Sequence, residues 1–272
     1  MPIDERRYYG LDALRGGMSL DAQWDNWFLG RVRDVMLAPD DEARGLAPLV
    51  DAISYSYSSA GPFQRVIYTE SHDEAKQQRV TDAIAPGDAN GWRARKLSTL
   101  GAALALTSPG IPMIFMGQEF LEYRRWTDAR DDIPLDWGRV ESSGGILALY
   151  RRLIQLRRNG DGNTRGLCGP NTRVFHVDPE SAVVAFHRWD RGGPGDDVVV
   201  VVNLKNRRYD SYNIGLPRDG TWYLRFNSDW TGYWSDYGNA GYDTAAQPGG
   251  NHGMPYDADV GLGPYSVIVL SQ

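Results

Sequence analysis

Residues 159–171, NGDGNTRGLCGPN, are rich in Asn and Gly, and the hydrophobic period of the chain changes across them. Upstream, short apolar runs alternate with helix-spaced ones. Asp25 is placed to cap a helix carrying Phe28, Val32, Val35 and Met36, and a second helix follows with Leu46, Leu49, Val50, Ile53 and Tyr57 on one face. Next come the strand RVIYT (65–69), a helix from Trp92 to Leu106 stopped by Thr107, Ser108, Pro109 and Gly110, and the apolar run IPMIFMG (111–117). That run predicts a strand buried on both faces, as parallel strands are. A last helix over 145–158 presents Ile146, Leu149, Tyr150, Leu153 and Ile154. This alternation predicts βαβ units and a parallel sheet. Downstream the period falls to two in TRVFHV, AVVAFHRW, DVVVVVNL, TWYLRFNS and YSVIVLS, which predicts an antiparallel β-sandwich able to fold alone. The expected fold class is α/β plus all-β, divided at 1–162 and 163–272.

Composition removes several function classes. A formal charge of −6 over 272 residues offers no concentrated basic face for phosphate, which argues against nucleic acid or a membrane as partner. The Arg-rich RRLIQLRR (151–158) is interleaved with helix-spaced Leu and Ile and reads as a solvated helix face. A single cysteine, Cys168, allows no internal disulfide and no Cys-based metal site, and nothing calls for a metal or cofactor. MPIDERRYYG has no apolar signal core, so the expected location is cytoplasmic. Nine Trp and 15 Tyr are left to explain; such rings pack cores and also stack on sugars.

The stretch YTESHDE (68–74) supports two readings at once. Ser71 and Glu74 have the S-x-x-E spacing of a capping box. Yet polar residues just beyond the carboxyl end of a parallel strand lie on the face where such sheets bind ligands. Ser71 can therefore cap a helix while His72 and Asp73 face a cleft. Two other strand ends have the same character: Gln118 and Glu119 after IPMIFMG, and Gln23, Trp24 and Asp25 after MSLDAQW. Carboxylate, imidazole, amide and indole groups delivered to one face suit a polyhydroxyl ligand.

The order of an FDAQW-like strand, YTESHDE, TSPGIPMIFMGQEF and a C-terminal β domain closing with LGPYSVIVLS resembles the α-amylase superfamily, glycoside hydrolase family 13, in its glucan-branching members. The resemblance runs from about Gly16 to the end and implies that strands six to eight of a (β/α)8 TIM barrel precede the sandwich. It implies that Asp73 is the carboxylate that distorts the sugar and stabilises an oxocarbenium-like transition state, with His72 holding sugar hydroxyls. Glu70, Gln118, Glu119, Trp24, Asp25 and Trp126 would line the substrate cleft, and the partner would be an α-glucan such as starch, glycogen or a maltooligosaccharide.

The family's nucleophile and acid/base follow its fourth and fifth strands. Nothing upstream of Met18 reads as a strand ending in Asp, and Asp4 and Glu5 follow only Met1, Pro2 and Ile3. The resemblance thus implies a truncated or split α-glucan-active enzyme, inactive as an isolated chain and completed by the missing barrel half or by self-association. Transfer and hydrolysis are not distinguished. The alternative is a non-catalytic carbohydrate-binding or subunit-interaction protein, for which Trp230, Tyr233, Trp234 and Tyr237 in NSDWTGYWSDYGNAGYD are the candidate ligand rings.

Overall fold

The structure, a computed structural model, describes residues 20–57, 61–129 and 133–272. Asp4, Glu5 and the start of the MSLDAQW run lie outside the described residues. In chain order the first part comprises β1 (Gln23–Trp24), α1 (Asn26–Leu37), α2 (Ala47–Ser54), β2 (Arg65–Ile67), α3 (His72–Gln77), α4 (Val80–Ile84), α5 (Trp92–Thr107), β3 (Ile111–Pro112), α6 (Arg139–Ser142) and α7 (Gly144–Arg157). The strands β1, β2 and β3 form a parallel sheet in that order. Asp25 caps α1 as its spacing predicts, its Oδ1 accepting the Phe28 N–H at 3.0 Å.

One expectation fails at β3. Only Ile111 and Pro112 of the apolar run are strand, and the run is not buried on both faces: Ile111 is 40% and Met116 49% exposed. The cause is the sheet's edge. Among the described residues β3 pairs with β2 alone, and Trp24, Val66 and Ile111, which register across the three strands, form a row on a face that these residues leave open. The opposite face is closed by helices, where Ile67 joins Phe28, Met36, Leu97 and Leu100 in the core.

α5 is buried from Ala94 to Thr107 because it packs on α1, α4, α7 and the β domain together. Gly101 makes room for Met36 of α1, since a Cβ there would lie 2.3 Å from Met36 Sδ. Orphan carbonyls at its C-terminal end are met by buried guanidinium groups: Arg157 donates to Ser108 O at 2.7 Å and to Gly110 O, and Arg188 donates to Thr107 O. RRLIQLRR is therefore only partly a solvated face. Arg157 points inward as a clamp, while Ile154, expected in the core, is 36% exposed.

The second part holds β4 (Asn171–Asp178), β5 (Val183–Trp189), β6 (Val198–Asn203), β7 (Tyr209–Leu216), β8 (Gly220–Asn227), β9 (Thr244–Asn251), β10 (Met254–Leu262) and β11 (Ser266–Ser271). All pair antiparallel, in the order β4-β5-β6-β11-β8-β9-β10-β7. The sheet turns back on itself, so that Val199 and Val201 of β6 meet Ile214, Leu216, Val260 and Leu262 across the sandwich. The alternate residues Val198, Val200 and Val202 face the helices of the first part. An antiparallel strand buried on both faces reads as the unbroken VVVVV seen in the sequence.

Candidate functional site

The carboxyl ends of β1 and β2 bring the predicted residues together. Past β2 the chain leaves the sheet at Tyr68 and Thr69 and enters α3 through a complete capping box: Ser71 Oγ accepts the Asp73 N–H at 3.2 Å, and Glu74 Oε2 accepts the Ser71 N–H at 2.8 Å. This fixes the first turn so that the next two side chains leave it outward. His72 Nε2 lies 3.2 Å from Asp73 Oδ1, with 40% of the His72 and 69% of the Asp73 side chain exposed.

Aromatic rings extend on both sides of this pair. The Trp24 ring centroid is 5.6 Å from that of Tyr68 and 5.7 Å from that of His72. His72 is in turn 5.7 Å from Trp126, which is 6.0 Å from Phe115. All four contacts are edge-to-face, the geometry that ring quadrupoles favour. Lys76 holds the far end, its Nζ 5.2 Å from the Trp126 centroid and 3.2 Å from Asp128 Oδ2. The Trp126 backbone N–H also donates to Ala75 O at 2.7 Å. Beside Trp126, side chains including Arg79, Met116, Glu122, Arg125, Ile133 and Leu135 line an open cavity of ≈ 470 Å³.

Other predicted residues stand behind this arc, not in it. Asp25 is fully buried, and Arg65 Nε donates to its Oδ2 at 2.5 Å. Glu70 is also fully buried; its carboxylate accepts from Arg79 Nη1 at 2.7 Å and from the Val80 N–H at 2.5 Å. Burial raises the Glu70 carboxyl above the usual range, against the opposing charge of Arg79. Neither carboxylate presents an oxygen to solvent, so both act as struts for the strand ends. Gln118 ties the loop after β3 to β2: its Nε2 donates to Thr69 Oγ1 and its Oε1 accepts the Phe115 N–H, each at 2.9 Å. Glu119 is partly exposed and accepts the Gly117 N–H at 3.0 Å.

Sequence reasoning missed Tyr68, Lys76, Phe115 and Arg79 as members of this assembly. Lys76 carried a signal, since it lies one turn beyond His72 on the same helix face. Arg79 carried none, because its three acceptors, Glu70, Met116 O and Arg124 O, come from separate segments.

The site thus sets an exposed carboxylate and imidazole between indole rings at the carboxyl end of a parallel sheet. Residues 175–272 match the family model "Alpha amylase, C-terminal all-beta domain". The chain is 29% identical over 268 residues to the 1,4-alpha-glucan branching enzyme GlgB of Burkholderia thailandensis, covering 94% of this chain and 30% of that protein. It is 30% identical to GlgB 2 of Xanthomonas oryzae pv. oryzae, covering 94% and 35%. The chain thus spans about a third of the length of these relatives. Solved structures with the same fold include pullulanase type I from Bacillus subtilis complexed with maltose (TM-score 0.65, 17% identity, 92% of this chain, 35% of that chain). The alpha-amylase from H. orenii is another (TM-score 0.59, 19% identity, 96% and 50%). The chain is homologous to α-amylase-superfamily enzymes and matches the C-terminal part of the 1,4-α-glucan branching type.

Proposed function

We propose that this chain supplies the sugar-binding and transition-state-stabilising side of an α-glucan-active enzyme of the branching type, which cleaves α-1,4-glucosidic bonds with transfer to a hydroxyl or to water. The observation that carries the reading is the exposed His72–Asp73 pair set between Trp24 and Trp126. Indole faces cover the apolar face of a pyranose, and His72 and Asp73 hold its hydroxyls. The Asp73 carboxylate stands against positive charge developing at the anomeric carbon.

In this reading the three parallel strands are the sixth to eighth of a (β/α)8 barrel, and the open row of Trp24, Val66 and Ile111 is wall that a closed barrel turns inward. A retaining mechanism needs two more carboxylates about 5–5.5 Å apart. The reading assigns them to barrel strands outside the described residues, with a glucan-storing cytoplasm as the compartment.

The test mixes the chain with the amino-terminal part of the Burkholderia branching enzyme and supplies amylose. Falling iodine colour at constant reducing ends reports transfer, and rising reducing ends report hydrolysis. Activity that survives Asp73→Ala removes the role given to Asp73. Maltoheptaose binding by the chain alone, unchanged in Trp24→Ala and Trp126→Ala, removes the arc as a glucan site.

A further inference from the structure

The segment 227–243, rich in aromatic residues, does not act as one surface. Tyr233 and Tyr237 are buried, and Trp234 packs on the core with the Arg95 guanidinium 4.3 Å from its ring centroid. Trp230 is turned outward, 48% exposed, at the mouth of a ≈ 440 Å³ cavity between α7 and β8, and Tyr242, 41% exposed, lies outside the lining of that cavity. That cavity shares no residue with the His72–Asp73 arc and falls within the range of small-molecule sites, about 300–1,000 Å³.

The indole is held in place before any ligand arrives. Tyr233 meets it edge-on, centroids 4.9 Å apart at 89°, and Gly232 lies so close that a Cβ would fall 2.4 Å from Cη2. Leu224 and Phe226 supply an apolar floor. The charges on the wall are already used: Arg152 donates to Asp161 and to Arg225 O, and Arg225 donates to Ser271 Oγ at 2.9 Å. Asn239, held at φ 53 by a backbone bond to Asp229 O, carries its amide on the rim. An exposed flat ring, an apolar floor and a rim amide, beside guanidinium groups already engaged within the chain, suit a polyhydroxyl ring.

We propose that this cavity is a second α-glucan-binding site, in which one pyranose stacks on Trp230 and hydrogen-bonds Asn239. Its ligand class follows the function proposed above, but its residues are independent of the arc. The test records indole N–H resonances of ¹⁵N-labelled full chain during titration with maltoheptaose, assigning each by its disappearance in the Trp24→Phe, Trp126→Phe or Trp230→Phe variant. Movement of the Trp230 resonance is expected, with its dissociation constant weakened about 2- to 13-fold in Asn239→Ala, as for loss of one neutral hydrogen bond. A Trp230 resonance that stays fixed up to about 10 mM maltoheptaose, ten times a 1 mM dissociation constant, overturns the proposal. If the Trp24 and Trp126 signals still move, the function above stands without this site. If only Trp230 moves, the second site stands and the arc reading falls.

Discussion

Arg79→Met tests whether the arc rests on the buried pair behind it. Both side chains of the Glu70–Arg79 pair are 1% exposed, and Arg79 also donates to Met116 O and Arg124 O, joining the end of β2 to two loops beside Trp126. Removing one partner of such a pair costs about 3–5 kcal/mol, because the other charge stays buried alone. Glu70 has a way out, which is to take up a proton. Its carboxyl is already raised by burial, and losing Arg79 raises it further. A group whose folded pKa exceeds its unfolded value leaves stability intact below the unfolded pKa, near 4.5, and withdraws it as pH rises through the folded pKa. The deficit of Arg79→Met therefore grows with pH, by at most ~1.4 kcal/mol per pH unit. Urea unfolding of wild type and variant at pH 5 and pH 8 reads this directly. Glu70→Gln in the same chain abolishes the pH dependence. A deficit equal at both pH values, or under about 1 kcal/mol at pH 8, refutes the argument that Glu70 is left as a lone buried charge.

Ser71→Ala removes one half of the capping box and costs about 1 kcal/mol by urea unfolding, and maltoheptaose affinity falls with it because the first turn no longer fixes His72 and Asp73. At Glu122, burial raises the carboxyl, but bonds from Arg124 and the Asp136 N–H outweigh this and hold it at about 2. A depressed carboxyl contributes stability that is present above its unfolded pKa and lost as pH falls toward the folded one. Glu122→Gln thus costs on the order of 1–2 kcal/mol at pH 7, allowing for solvent at Arg124, and almost nothing near pH 2. Lys96→Met strands Asp229, whose Oδ1 accepts from Lys96 Nζ at 2.6 Å across the two parts, and lowers the melting temperature by roughly 6–20 °C in calorimetry.

What was legible in the sequence divides along physical lines. The helix starts at Asp25 and Ser71 were readable because caps are local chemistry, two or three residues long. The strands β5, β6 and β11 were readable because each is buried over nearly its whole length. β7, β9 and β10 were missed: YDSYNIGL, TAAQPGGN and MPYDADVGL leave many residues in solvent, so their place comes from pairing partners. At the site, the exposed residues His72 and Asp73 were marked by strand-end position. Asp25 and Glu70 look the same in sequence, but only the positions of Arg65 and Arg79, 40 and 9 residues away, show that they are struts. Trp230 and Trp234 lie four residues apart, yet one faces water and the other the core, a difference set by α5 and not by their own segment.

The double burial of the central β strands also decides how the two parts depend on each other. A sandwich able to fold alone was the expectation from its strand pattern, but only one face of β5, β6 and β11 is covered by β7, β8 and β10. The other face carries Val184, Phe186, Val198, Val200, Val202, Val267 and Val269, all at most 0% exposed, and is closed by the first part of the chain. Exposing these side chains costs ~10–20 kcal/mol at about 1.5–3 kcal/mol each, as much as the whole stability of an ordinary domain, about 5–15 kcal/mol. The buried Lys96–Asp229 pair and the bond from Arg188 to Thr107 O cross the same boundary. A sandwich cut free of residues 20–162 would therefore present an aggregating apolar sheet face, since α2, α5 and α7 of the first part serve as its second layer.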